Sequence, residues 1–184
     1  MVDERKIVEW QMGRTLRGNF RVFKRCSHGY PTVIISDPIL DGKPFPTIFW
    51  LTCPYLRKRI GNLESLGYVD KLEELIQRDE KFRNRLMKAH EKIVELRLKL
   101  LKKKYPEYLE NDEFLRALKK GIGGVGNLET VKCLHLHVAI HLAGMDDPIG
   151  EYVLRMIDEM ECVDAMCRRC KYEISPSSFF QEGE

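Results

Sequence analysis

Phe20-Arg-Val-Phe-Lys-Arg-Cys26, Ser27-His-Gly-Tyr-Pro31 and Thr32-Val-Ile-Ile-Ser36 follow one another without a break, and their reading decides the fold. Two β-rich runs either side of a Ser, Gly and Pro segment predict two strands joined by a turn. A third strand is expected over Thr47 to Thr52, after the Pro-rich loop Asp41-Gly-Lys-Pro-Phe-Pro46. Three such strands make a small antiparallel sheet. Beyond Pro54 apolar residues recur at helical spacing, and Pro54 suits a first helical position, where its missing N–H loses no bond. Helices are expected near 54–66, 69–78, 80–104, 107–120, 128–144 and 148–165, with another over 3–12 that Gly13 ends. Within 80–104, Phe82, Leu86, Ala89, Ile93, Leu96 and Leu100 form one apolar stripe, which reads as core. The fold class is therefore α+β, a three-stranded antiparallel sheet near the N-terminus packed against a mainly helical remainder. It is expected as one domain over 1–174 with a flexible tail over 175–184.

Composition narrows the function classes. With 184 residues, 43% apolar and 32% charged, the chain falls among folded globular proteins. Its 31 basic and 28 acidic residues nearly balance, so a net charge of +3 gives no reason to expect a nucleic-acid partner. Arg57-Lys58-Arg59 and Lys102-Lys103-Lys104 are the densest basic runs and read as solvated helix faces before they read as phosphate sites. No apolar run approaches the roughly 20 residues that span a bilayer. The start, Met-Val-Asp-Glu-Arg-Lys, lacks the apolar segment of a secretion signal, so a cytoplasmic protein without a membrane partner is expected. In that compartment six unevenly spaced cysteines are free thiols or metal ligands before they are disulfides.

The strongest chemical pattern is Thr130-Val-Lys-Cys-Leu-His-Leu-His-Val-Ala-Ile-His141. On a helix, 100° per residue places Cys133, His137 and His141 on one face, with neighbours roughly 6 Å apart and the outer two roughly 12 Å apart. Any adjacent pair could share an ion. Cys26 and Cys53 stand at strand ends, where ligands are presented rigidly, so Cys26, Cys53, Cys133 and His137 are the expected metal ligands and zinc the expected ion. Four protein ligands would close the site, and three would leave a position for water. His141, Cys162, Cys167 and Cys170 are the alternates. His135 lies about 200° from Cys133 and reads as packed or exposed. Cys133 alone would read as an ordinary core thiol.

Other residues permit other chemistry. Thr52-Cys53-Pro54 puts a thiol at a helix start, where free N–H groups favour a thiolate, so Cys53 is a candidate nucleophile with His135 or His137 as base. Glu64 and Asp41 are the acids placed to act on a metal-bound water. Cys162-x4-Cys167-x2-Cys170 contains a C-x-x-C shared by zinc knuckles and redox pairs, so it reads as a disulfide, as plain exposed thiols, or as half a zinc-ribbon pattern whose missing ligand would come from His28 or from a second subunit, which leaves a homo-oligomer open. Gly121-Ile-Gly-Gly-Val-Gly126 matches a phosphate-loop spacing but follows a helix rather than a strand, so it reads as a hinge or cap.

Gln11-Met-Gly-Arg14, Arg25-Cys-Ser-His-Gly-Tyr-Pro31, Asp41-Gly-Lys-Pro-Phe-Pro-Thr47, Trp50-Leu-Thr-Cys-Pro54 and Gly61-Asn-Leu-Glu64 resemble the bacterial family catalogued as domain of unknown function 501. Lys132-Cys-Leu-His-Leu-His137 and Asp147-Pro-Ile-Gly150 look like its C-terminal motifs, so the resemblance runs over most of 2–160. Asp147 departs from the Asn usual there, and the segment with Cys162, Cys167 and Cys170 looks additional. The resemblance implies relatives and no activity. The expected function is a zinc-stabilised binding or regulatory module. The alternative is a small enzyme, either a zinc hydrolase or a thiol enzyme built on Cys53, acting on an anionic ligand drawn by Arg57, Arg59 and the Gly-rich loop.

Overall fold

The computed structural model describes residues 3–170. Helix α1 (Glu4–Met12) is capped by Asp3 and ends at Gly13. Five strands follow: β1 (Phe20–Arg25), β2 (Pro31–Ser36), β3 (Ile39–Leu40), β4 (Lys43–Pro44) and β5 (Phe49–Leu51). β1, β2 and β5 form the expected antiparallel sheet in that order, with Ile34 opposite Trp50. β2 is central and is buried on both faces, which its run of β-branched residues suits. The Pro-rich loop contains a small ribbon instead of plain coil, because Asp41 and Gly42 both take positive φ and close β3 onto β4.

The remainder is helical: α2 (Pro54–Ser65), α3 (Tyr68–Arg78), α4 (Glu80–Lys104), α5 (Asp112–Leu118), α6 (Leu134–Leu142) and α7 (Pro148–Arg155). The fold is α+β. Among the described residues no helix is long and apolar enough to cross a membrane. The tail expected from 175 lies outside the described residues.

Three helices are shorter than their periodicity predicts, each for a local reason. The 107–120 stretch breaks at Asn111, whose side chain accepts the Phe114 N–H and starts α5 afresh after a 3-10 turn. The 128–144 stretch begins helix only at Leu134, because Cys133 is extended and the N–H groups of Val131 and Leu134 go to Glu73 and Glu64. The 148–165 stretch ends at Arg155; continuing it would set Asp158, Glu159 and Glu161 at the negative end of the helix dipole. That segment instead returns to the sheet, where Ser27 donates to Glu161 and His28 Nε2 donates to the Cys162 carbonyl at 2.7 Å.

The core lies where α6 packs on β5 and α7, with α2, α3 and α4 around it. α6 is buried nearly all round. α4 contributes Leu86, Ala89 and Ile93 from the expected stripe, and also His90 and Arg97 at the same spacing. His90 is buried as a neutral ring: Nδ1 accepts the Ile122 N–H at 2.8 Å and Nε2 donates to the Leu128 carbonyl at 2.9 Å. Burial pushes it down from 6.5 to about 4. The unfolded chain therefore takes up this proton below about 6.5 while the folded one does not, so stability present above 6.5 is lost as pH falls toward 4. The linked loss is about 3 kcal/mol. Urea midpoints at pH 7 and pH 4.5 should show this step in the native chain and a smaller one in His90→Gln, whose amide can keep both hydrogen bonds. Equal steps would exclude His90 as the source.

Candidate metal centre

Glu64 stands in the last turn of α2, Cys133 is the N-cap of α6, and His135 sits in the first turn of α6. Their ligand atoms lie within 4.8 Å of one another, the only such group of three among the described residues. Each is half-buried. Glu64 Oε1 accepts the Leu134 N–H at 2.7 Å and lies 3.1 Å from His135 Nδ1. His135 Nε2 lies 3.0 Å from the Arg57 carbonyl oxygen.

The extended backbone of Cys133 leaves its sulfur over the first N–H groups of α6. Burial raises this thiol above its ordinary value, and Glu64 adds to the rise. The N–H groups of Leu136 and His135 and the charge of Lys132 pull the other way.

The expected ligands fall in different places. Cys26 and Cys53 line one cavity, together with Cys162 and Cys167. Cys133 belongs to the Glu64 group. His137 is buried, with Nδ1 2.8 Å from Asp147 Oδ2, while Asp147 Oδ1 caps α7 through Ile149 and Gly150. His141 is half-buried and its Nδ1 has no hydrogen-bond partner among the described residues. Cys133, His137 and His141 do not form one helical stripe, because Cys133 precedes the helix. For the same reason His135, expected on the opposite face, stands beside Cys133. Glu64, expected near a metal-bound water, is itself in ligand position. Asp41 occupies the β3–β4 turn and pairs with Arg17.

Residues proposed for anion or thiol chemistry are engaged structurally. Arg57 donates to the Gln11 carbonyl at 2.8 Å, Arg59 pairs with Glu159, and Lys104 pairs with buried Asp37. In the Gly-rich loop the carbonyls of Gly121 and Gly123 accept from Arg97 and Lys132. A Cβ on Gly121 would lie 2.8 Å from His90 Nδ1, so the loop is packed against α4 and not shaped around phosphate. Cys53 is the N-cap of α2 and receives N–H groups from Leu56 and Tyr55, yet burial raises its thiol, which disfavours a free nucleophile.

The Glu, Cys and His donor set suits zinc, which takes oxygen, sulfur and nitrogen together. Three protein ligands leave one coordination position. A family model described as protein of unknown function (DUF501) matches residues 22–155. The match covers the sheet from Val22 onward and every helix from α2 to α7, and leaves out α1 and the segment carrying Cys162, Cys167 and Cys170. No curated protein and no solved structure matches the chain. The three residues of the candidate centre thus lie inside a span that follows one family pattern from the first strand to the last helix, and the chain belongs to the DUF501 family.

Proposed function

We propose that the protein is a zinc-holding binding module, in which the ion joins Glu64, Cys133 and His135, ties the end of α2 to the start of α6, and keeps one position for an incoming ligand. One contact carries this reading. The Arg57 carbonyl can only accept, so His135 Nε2 bears a proton. In a neutral ring Nδ1 is then a bare lone pair, 3.1 Å from the lone pairs of Glu64 Oε1. A cation between them would relieve this contact, and a metal ion can supply it. A proton has no need of the nearby Cys133 sulfur, whereas a soft divalent ion uses it. The carbonyl on Nε2 is also the usual outer partner of a metal-bound histidine.

The test is zinc content and affinity of the chain purified without added metal or chelator. About one tightly held zinc is expected at this centre. Cys133→Ser and His135→Ala should weaken it by more than about tenfold, the lower end of what losing an orienting partner alone costs. Cys53→Ser should leave it unchanged. Zinc affinity indifferent to Cys133 and His135 would overturn the reading. Three protein ligands are also the pattern of hydrolytic zinc sites, so the zinc-loaded protein merits an activated-ester assay, with Glu64→Gln as the comparison.

A further inference from the structure

A cavity of about 130 Å³ lies between the β1–β2 turn, the start of α2 and the returning segment 160–167. Four of the six cysteines line it: Cys26 from the turn, Cys53 from the cap of α2, and Cys162 and Cys167 from the returning segment. Three of the four sulfurs receive N–H donors. The Leu56 and Tyr55 amides serve Cys53, the Met166 amide lies 3.3 Å from Cys162 Sγ, and the Gln11 side-chain amide lies 3.3 Å from Cys167 Sγ. N–H donors to sulfur are also the contacts by which a protein tunes a thiolate-bound cluster.

Two further observations point to a bound group. Thr32 lines the cavity and is 6% exposed, and its Oγ1 is buried without a hydrogen-bond partner among the described residues, with a hydroxyl that can donate to a cluster sulfur. Buried polar atoms of this kind are few in folded proteins and call for an explanation. The returning segment is also held in a costly shape. Ala165 is buried with φ 46° and ψ 58°, a left-handed conformation unfavourable for alanine. It starts the 3-10 turn that carries Cys167 toward the cavity, while His28 holds the Cys162 carbonyl.

We infer that Cys26, Cys53, Cys162 and Cys167 are the ligands of an iron–sulfur cluster seated in this cavity. This centre uses none of the residues of the Glu64 group and stands or falls apart from it. The chemistry decides between a cluster and one ion. A tetrahedral zinc with bonds of about 2.3 Å would draw its sulfurs to about 3.8 Å from one another. No three thiols among the described residues come within 4.8 Å of one another. The room is about tenfold what one water requires, more than a lone ion needs. Leu56, Leu142 and Met160 supply the apolar wall that shields such a cluster. Four cysteine ligands are the common set for clusters. On assembly each thiol gives its proton to solvent and bonds one iron; ferrous and ferric ions and sulfide come from outside, and no protein disulfide forms. Cys170 is buried beside the segment but does not line the cavity, and is not a ligand.

The experiment is anaerobic reconstitution of the full chain with ferrous and ferric iron, sulfide and a thiol reductant. Broad visible absorption with matching iron and acid-labile sulfide is expected. Cys53→Ser and Cys167→Ser should lose it, while Cys133→Ser and Cys170→Ser should keep it, with circular dichroism confirming that each variant is folded. Should a variant fail to fold, native-state alkylation of the unaltered chain gives the same answer. Reconstitution should protect Cys26, Cys53, Cys162 and Cys167, and chelation should expose them. A colourless protein with unchanged alkylation, colour that survives Cys53→Ser and Cys167→Ser, or zinc on these four thiols with no uptake of iron would each overturn the assignment.

Discussion

Arg97→Met is expected to cost about 3–5 kcal/mol of folding stability, because it leaves up to three buried carbonyls unsatisfied at about 1–3 kcal/mol each, partly relieved by relaxation. Arg97 is fully buried on α4. Its guanidinium donates to the carbonyls of Leu118 at 2.8 Å, Lys120 at 2.5 Å and Gly121 at 2.6 Å. These carbonyls belong to the end of α5 and the turn after it, where helix geometry leaves acceptors without partners and the dipole is negative. Burial pulls Arg97 down to about 10, which still leaves it charged at neutral pH. Methionine fills much of the same volume but leaves three acceptors facing an apolar side chain. Arg97→Lys keeps the charge without the planar fork and should fall between. Thermal unfolding should drop by roughly 10 °C for Met in a chain of this size. A loss below about 1 kcal/mol would mean that water or repacking satisfies the carbonyls, and that Arg97 is not the clamp.

Gly150→Ala is expected to cost about 3 kcal/mol, the upper end for overpacking a well-packed site. Gly150 lies in the first turn of α7, where a Cβ would sit 2.3 Å from the His137 carbonyl oxygen and 2.6 Å from His141 Cβ. The first obstacle is backbone, which cannot swing aside. α7 would have to lift from α6, stretching the 2.8 Å bond between Asp147 and His137. Alanine's better helix propensity returns only about 1 kcal/mol, so the clash decides the sign. Gly61→Ala in α2 is the control: its Cβ would meet nothing within 4 Å, so the same exchange should be neutral or stabilising by up to about 1 kcal/mol. Urea unfolding of both variants checks the contrast, and similar values for the two would show that close approach at Gly150 is not limiting.

Much of the fold is legible residue by residue. The hairpin follows from two β-rich runs around Ser27 to Pro31 and the third strand from the third run, while the structure sets that strand beside β2. The 80–104 helix shows in its apolar stripe, and Asp79 caps it. What the stripe conceals is that His90 and Arg97 share its spacing. Periodicity counts apolar residues and passes over polar ones that are buried because a loop supplies their hydrogen bonds.

The candidate centre was only partly legible. Cys133, His135 and Glu64 each stand out in the sequence, but in different roles. The assignment of faces rested on Cys133 being helical; a residue that leaves the helix no longer follows the 100° rule. His137 looked like a ligand because nothing local announces that Asp147 will meet it across the α6–α7 contact.

The amino-acid sequence by itself determined the class of the fold, the three strands of the main sheet and the existence of most helices, because these depend on residues within a few positions of one another. Tertiary structure alone decided which cysteines and histidines meet. Glu64 reaches His135 across 71 positions, and Ser27 holds Glu161 across 134. Pairings of that range are set by how whole elements pack around a shared core, and no local pattern encodes them.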